Sequence, residues 1–270
     1  MCLLLQCKNY IMATALITGA SLGIGLELAK TFAAAKNNLV LVARSEDKLK
    51  VISEELQKTF DIQVKIIAAD LSNMEEVQKV YDICKAENIS IEYLVNNAGI
   101  GVFDLFIDAD WNKTEQMIDL NIKSLTKMCR LFIPDMVARK SGKILNVAST
   151  AAFQPGPTMA VYYASKSYVL LFSEAIYNEL QGTGVSVTCL CPGATDSNFF
   201  KAAAMEESKL VKGKKLPTPK EVAEFGYKAM MKNKMTVIHG LMNTIMATSI
   251  RFAPRKLVPK IVRKIQDKAN

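Results

Sequence analysis

Residues 161–168, VYYASKSY, place two adjacent tyrosines just ahead of a lysine. Lys166 follows Tyr162 by four residues and Tyr163 by three, and on a helix either spacing puts phenol and ammonium on one face. The chemistry on offer is proton transfer. An unperturbed phenol has a pKa of about 10, too high for efficient acid–base work at neutral pH. A neighbouring ammonium stabilises the phenolate and lowers that value, so the pair can serve as a general acid or base. Helical spacing leaves open which tyrosine is paired.

A second chemical patch is the turn TGASLGIG at 18–25. Gly19, Gly23 and Gly25, with Ser21 and Ile24 among them, join an apolar run to a helical pattern. Glycines let such a turn tighten and let backbone N–H groups approach a pyrophosphate, while the helix N-terminus offers the positive end of its dipole. The next apolar run ends LVARSEDK, with Arg44 and Ser45 where an acidic residue would take the ribose 2′-hydroxyl of NAD. A guanidinium fork matches a 2′-phosphate, so NADP(H) is favoured over NAD(H).

The elements that must position these groups alternate along the chain. Short apolar runs at 13–18, 38–43, 64–69, 93–97, 142–149 and 185–191 read as buried strands, with a further short one at 235–238. Between them lie segments with apolar residues three and four apart, including a long stretch from Asp110 to Arg139, which read as amphipathic helices. Strands apolar on both faces and alternating with helices predict an α/β chain. Its architecture is one doubly wound domain of Rossmann type, a parallel sheet of about seven strands covered on both faces. The expected organisation is a loose extension at 1–11 with Met12 as a candidate start, a dinucleotide-binding and catalytic domain at 12–250, and a basic amphipathic tail at 251–270.

Composition narrows the alternatives. Half of the 270 residues are hydrophobic, enough for a sizeable core, and the ordinary charged fraction of 22% argues against disorder. Six scattered cysteines form neither a disulfide framework nor a metal ribbon, and they point to a reducing, cytoplasmic compartment. Cys189 and Cys191 fall on one face of a strand and read as buried structural thiols. A lone histidine, His239, without a ligand cluster leaves no expected metal site. The N-terminal residues lack the pattern of a signal peptide, and no run is apolar enough for a spanning helix.

Taken in order, TGASLGIG, Asp70–Leu71, NNAG at 96–99, Asn121 in DLNIKS, Ser149 in NVAST, YYASK at 162–166 and Pro192–Gly193 resemble the classical short-chain dehydrogenase/reductase family over nearly the full length. The family pattern Tyr-x-x-x-Lys selects Tyr162, and the thirteen residues from Ser149 to Tyr162 are typical of it. The resemblance implies hydride transfer between a nicotinamide and a carbonyl or secondary alcohol. Tyr162 would then act as general acid/base, Lys166 would lower its pKa and bind the nicotinamide ribose, and Ser149 would polarise the carbonyl. Asn121 would kink its helix and hold a water on a proton path. It also implies that Asp70 and Leu71 flank the adenine, and that Asn97, Ala98 and Gly99 border the cofactor. After Pro192 and Gly193, Thr195 and Ser197 would approach the carboxamide, Ser197 standing where the family often has threonine. Leu22 departs from the basic residue that some NADP-dependent members carry in the glycine loop. A homodimer or homotetramer through the long fourth and fifth helices is a further implication.

Residues 194–216 occupy the family's lid position, with Phe199, Phe200 and Met205 as apolar candidates, and Phe153, Pro155 and Met159 could line the same pocket. Apolar walls suit a hydrophobic ketone. The segments TKMCRLFIPDMVARKSGKILNVAST and VIHGLMNTIMATSIRFAPRK resemble the branch of 17β-hydroxysteroid dehydrogenases and 3-ketoacyl-CoA reductases, and also bacterial DltE-like oxidoreductases. That implies a 3-oxoacyl or steroid-like substrate.

Charge is uneven. Residues 201–270 hold 16 Lys and Arg against 5 Asp and Glu, a local +11. In the tail, Leu257, Val258, Ile261, Val262 and Ile265 recur at helical spacing opposite Arg255, Lys256, Lys260, Arg263 and Lys264. Such a helix either lies on an anionic membrane surface or packs its stripe on the domain or on another subunit, and the second reading is favoured. Nucleic acid is not an expected partner, because the charges are not interleaved with stacking aromatics. The competing function is a redox sensor that binds the dinucleotide without turnover. It would need only the glycine loop, not the set Asn121, Ser149, Tyr162 and Lys166.

Overall fold

In the computed structural model, which describes residues 12–197, 199, 203, 208, 213 and 215–266, the apolar runs form seven parallel strands. They are β1 (Thr14–Thr18), β2 (Asn38–Ala43), β3 (Val64–Ala68), β4 (Ile91–Asn96), β5 (Gly142–Val147), β6 (Val185–Cys191) and β7 (Thr236–Ile238). The helices are α1 (Gly23–Ala34), α2 (Glu46–Phe60), α3 (Met74–Ala86), α4 (Trp111–Ile118), α5 (Leu125–Ala138), α6 (Ala160–Glu179), α7 (Pro219–Met231), α8 (Leu241–Ser249) and α9 (Val258–Gln266).

Successive strand side chains point to opposite faces, so a run apolar at every position needs a cover on each side. Leu16, Val40, Val42 and Leu94 pack with Val77 and Val80 of α3, Met128 and Phe132 of α5, and Val169 and Leu170 of α6. Their strand neighbours Ala15, Ile17, Leu39 and Leu41 pack on the opposite face with Leu28 and Phe32 of α1, Leu49 and Leu56 of α2, and Val222 and Met230 of α7. Each large side chain so buried contributes about 1.5–3 kcal/mol, and this two-sided burial holds the layers together.

Strand order is β3-β2-β1-β4-β5-β6-β7. The chain winds outward through β2 and β3 on one side of β1, then returns to place β4 on the other. The carboxyl ends of β1 and β4 therefore diverge into loops on opposite sides, and a crevice opens between them. Directly beneath it, Asn146 of β5 accepts a hydrogen bond from Asn96 Nδ2 at 2.9 Å and donates to Ser173 Oγ of α6 at 2.9 Å. Asn96 and Asn146 are paired in register, so this buried polar link fixes β4, β5 and α6 to one another.

The stretch from Asp110 to Arg139 is not one uniform helix. Between α4 and α5 lies a π-helical turn, Asp119–Ser124, which a three- and four-residue apolar period does not reveal. The fourth strand begins two residues earlier than expected and the fifth ends two residues sooner, at Val147, after which the chain leaves the sheet to form the site.

Phe32, fully buried on α1, meets Tyr227 of α7 edge-on at 4.9 Å between centroids and Tyr93 of β4 at 5.3 Å. It locks the helix that follows the glycine turn to the sheet and to α7. Phe32→Ala should lower unfolding free energy by about 3–5 kcal/mol in urea titration. A loss under about 1 kcal/mol would show that this contact does not anchor α1.

Candidate active site

β1 ends at Thr18, and the chain turns at once through Gly19 (φ +66°) and Gly23 (φ +58°). A Cβ on Gly19 would stand 2.9 Å from Asn97 Nδ2 and 3.0 Å from Ala98 Cα. That close approach lets Asn97 Nδ2 donate to the carbonyls of Thr18 (2.9 Å) and Gly19 (3.3 Å), while Thr18 Oγ1 accepts from the N–H groups of Asn97 and Ala98. The glycine turn is thus tied to the end of β4. A Cβ on Gly25 would overlap the Gly19 carbonyl, so Gly25 packs α1 against the turn from behind and does not face the cleft. Leu22 caps α1 without a side-chain hydrogen bond, and the first turn holds no acid. The unpaired N–H groups and positive dipole end fit an anion, as the pyrophosphate of a dinucleotide requires.

This turn is one end of a cleft of about 1360 Å³ bordered at that end by Gly19, Ser21, Gly23, Ile24, Arg44, Ser45, Asp70 and Leu71. Arg44 is exposed at the mouth, while Asp70 accepts hydrogen bonds from Ser72 N (3.0 Å) and Ser72 Oγ (2.8 Å) and so shapes its own loop. Asn97, Ala98, Gly99, Pro192, Gly193, Thr195 and Ser197 continue the wall. Thr195 Oγ1 donates to the Gly193 carbonyl, and Ser197 lies across from Gly23.

The two tyrosines part company on α6. Both are buried, but the Tyr162 phenol hydrogen-bonds Ser149, and Lys166 Nζ stands 5.8 Å from the Tyr162 ring centroid. Tyr163 instead meets Gln266 of α9 and Gln154, its ring filling space that a Cβ on Gly156 would occupy. Ser149 is held in extended backbone just beyond β5, where its Oγ accepts from Ala151 N at 3.1 Å and Thr150 N donates to Pro192 O at 2.8 Å. Lys166 Nζ donates to Val147 O at 3.0 Å.

Asn121 lies in the π turn and does not border the cleft. Its Oδ1 accepts from Ile100 N (3.0 Å), and its Nδ2 donates to Ile100 O (2.9 Å) and Ser165 Oγ (3.0 Å). It therefore braces the loop after β4 against α6. A Cβ on Gly99 would come within 3.2 Å of Asn121 Oδ1 and 3.3 Å of Lys166 Nζ, so glycine keeps open the space between them.

Electrostatics differ from the sequence expectation in one respect. Burial pushes the Tyr162 phenol well above its ordinary range, with the Ser149 hydrogen bond opposing, and burial pushes the Lys166 ammonium down to about 8. Lys166 Nζ faces the ring and bonds the Val147 carbonyl, and desolvation of the phenol outweighs the lowering that a neighbouring ammonium offers. A phenol kept neutral is a proton donor. Cys189 and Cys191, fully buried on β6 with sulfurs 3.9 Å apart, have the character of inert thiols; contact with Cys189 and burial push Cys191 up.

Of the expected pocket residues, Met159 and Phe199 line the cleft, and the Phe199 ring lies 5.3 Å from the Tyr162 ring, tilted by 44°. Phe153 turns into the core beside α6 and, like Pro155, is not part of the wall. Phe200, Met205 and most of the lid lie outside the described residues. The remaining wall is α8 and α9, which contribute Met242, Met246, Ile261 and Ile265. The tail's periodicity announced a helix, but not that it would cover this cleft. Val258 and Val262 are buried, whereas Leu257, Ile261 and Ile265 stay 44–46% exposed. Gln266 gave no signal at all, being a single polar residue at the end of a basic helix. Among the described residues no helix is long and apolar enough to cross a membrane.

The model of the family described as short chain dehydrogenase matches residues 13–208. The very-long-chain 3-oxoacyl-CoA reductase of Anas platyrhynchos is 38% identical over 186 residues, which are 67% of this chain and 59% of that protein, so the chain spans under two thirds of this relative's length. Among solved structures, a short-chain dehydrogenase from Sphingobium yanoikuyae in complex with NADPH has a TM-score of 0.82 at 28% identity, covering 95% of this chain and 98% of its own. A short-chain dehydrogenase/reductase from Burkholderia phymatum in complex with NAD has a TM-score of 0.80 at 25% identity, covering 96% and 98%. With the glycine turn, the Ser149–Tyr162–Lys166 cluster and the seven-stranded sheet in place, the chain belongs to the short-chain dehydrogenase/reductase family of carbonyl and alcohol oxidoreductases, in its 17β-hydroxysteroid dehydrogenase and 3-ketoacyl reductase branch.

Proposed function

We propose that this protein is an NADP(H)-dependent reductase of bulky, hydrophobic ketones, such as 3-oxoacyl or steroid-like compounds, with Tyr162 as the general acid. The observation that carries the reading is the placement of one neutral phenol, bonded to Ser149 and capped by Lys166, where the dinucleotide half of the cleft meets its apolar half.

The bound cofactor supplies the hydride. Ser149 and Tyr162 together offer hydrogen bonds to the carbonyl oxygen, and Tyr162 Oη releases its proton as negative charge grows there. Lys166, over the ring, stabilises the phenolate left behind and thereby makes the transfer downhill. Asn121 holds the loop after β4 against α6, keeping the space at Gly99 beside Lys166 Nζ. Arg44, exposed beyond β2, supports the choice of NADP(H), since it offers a 2′-phosphate a charged fork. The apolar walls from Met159, Phe199, α8 and α9 support a hydrophobic substrate. The buried free thiols suit a cytoplasmic setting, and the basic residues of the tail suit an anionic bilayer or a second subunit.

Four outcomes test this reading. Tyr162→Phe should lower NADPH-dependent ketone reduction by roughly 10²–10⁴-fold with NADPH affinity nearly unchanged. Tyr163→Phe should keep reduction of a simple ketone within a few-fold of wild type; the reverse ranking would transfer the role to Tyr163. Reduction at saturating NADPH should fall as pH rises through about 8, where Lys166 gives up the proton that stabilises the phenolate; a flat profile from pH 6.5 to about 9.5 would remove Lys166 from the mechanism. Arg44→Ala should weaken NADPH binding roughly tenfold more than NADH binding, the scale of one lost charged hydrogen bond. Equal losses, read by calorimetry, would deny it the 2′-phosphate.

A further inference from the structure

β6 ends at Cys191, and the chain leaves the sheet through Pro192 and Gly193, which border the cleft beside Thr195. Each carbonyl of this turn is bonded. Cys191 O accepts from His239 N at 3.3 Å, Pro192 O from Thr150 N at 2.8 Å, and Gly193 O from Thr195 Oγ1 at 3.0 Å. Thr150 follows Ser149 directly, and Ala148 on the other side of the serine donates to Leu190 O at 2.8 Å. The turn therefore carries one wall of the cleft and, through Pro192, the backbone that presents Ser149 Oγ.

The support behind the turn comes from the far end of the chain. After β7, Gly240 takes φ +92°, and α8 begins beside the end of β6 with Asn243 in its first turn. Asn243 Nδ2 donates to the His239 carbonyl at 2.7 Å. Only the N–H end of an amide can face a carbonyl so closely, so this side chain has one orientation. His239 is fixed in turn by its own N–H on Cys191 O and by the Phe225 ring, edge-on at 5.2 Å. A Cβ on Gly193 would overlap Asn243 Nδ2 and stand 2.9 Å from its Cγ and 3.0 Å from its Oδ1. The whole carboxamide thus lies against Gly193, where a residue without a side chain leaves it room.

We infer that Asn243 is a positioning residue whose carboxamide buttresses Gly193 and so sets the place of the Pro192–Gly193 turn and, through it, of Ser149. This deepens the ketone-reductase reading and rests on it for the role of Ser149. Asn243 acts by bulk that is tied down at Nδ2, in a wall packed too closely to yield without cost. Without the buttress the turn can still take the cofactor, but Ser149 loses its register on the carbonyl. A misplacement of about 1 Å is enough to cost the chemical step heavily, so the loss falls on kcat and spares cofactor affinity.

The test reads NADP⁺ affinity by calorimetry and ketone reduction by rate, both on the full chain. Gly193→Ala should weaken NADP⁺ binding roughly tenfold or more, because the new methyl is blocked by Asn243 and pushes the turn into the cleft. Adding Asn243→Ala opens that space and should return NADP⁺ affinity to within about threefold of wild type. Asn243→Ala alone should keep NADP⁺ affinity within about threefold and lower kcat roughly tenfold. In Ser149→Ala, where the serine is already gone, the same change should cost less than about twofold. Asn243→Ser, which keeps a donor for His239 O but withdraws the bulk from Gly193, should match Asn243→Ala in both readouts. The inference is overturned if Gly193→Ala binds NADP⁺ as wild type does, or if the double variant binds no better than Gly193→Ala. It is equally overturned if Asn243→Ala leaves kcat unchanged, if it costs Ser149→Ala as much as wild type, or if Asn243→Ser restores the rate in full. Because affinity is read without turnover, restored binding in a protein that reduces no ketone would remove the reductase reading and leave the buttress standing. Reduction without restored binding would do the opposite.

Discussion

A single buried cation organises the centre of this molecule. Lys166 is held inside α6 with its ammonium over the Tyr162 ring and bonded to the carbonyl of Val147, the last residue of β5. A charge taken out of water is expensive unless its hydrogen bonds are supplied, and burial pulls this one down to about 8. Such a group stays put only if its supporting shell is rigid. β5 must end at that carbonyl, Gly99 must carry no side chain, and the buried face of α6 must bear Tyr162, Lys166, Val169 and Ser173 in one line. The Asn96–Asn146–Ser173 link lies beneath the same point and keeps strand and helix in register.

The parallel sheet explains why the cofactor and substrate halves meet where they do. Strand order reverses between β1 and β4, so the glycine turn and the loop after β4 frame one crevice, and Asn97 bridges them through the Thr18 and Gly19 carbonyls. Ser149 enters from just beyond β5 and Lys166 from α6, the helix that follows it. α8 and α9 then close the side that the sheet leaves open, bringing apolar residues from the end of the chain to a site whose chemistry is set in its middle. The same geometry accounts for a neutral Tyr162: the apolar walls that line the cleft also desolvate the phenol.

Much of this was legible in the sequence because it is periodic or local. Runs apolar at every position gave the two-faced strands, and the glycine turn with Arg44 beyond the second strand marked the cofactor end. What was not legible is long-range. Helical spacing alone could not separate Tyr162 from Tyr163, since both i,i+3 and i,i+4 neighbours of Lys166 are allowed; the family pattern selected Tyr162, and in the structure Ser149, 13 residues before Tyr162, and Gln266, 103 after Tyr163, meet different tyrosines. The π turn at Asn121 leaves no trace in a three- and four-residue period. Phe153 looked like a pocket residue by proximity in sequence but follows a short 3₁₀ turn into the core. Sequence also gave no measure of desolvation, which depends on the whole cleft and pushes the Tyr162 phenol up beside its neighbouring charge.

The central claim is that Tyr162 is the protonated acid, kept so by burial and not turned into phenolate by Lys166. The most direct measurement is NMR of protein labelled at tyrosine Cζ, in complex with NADPH, with Tyr162→Phe used to assign the resonance and pH varied across neutrality. The account predicts that the Tyr162 signal keeps the shift of a neutral phenol through pH 8. A phenolate shift at pH 7 would contradict it, and would mean that Lys166 and the cofactor together overcome the desolvation that this cleft imposes.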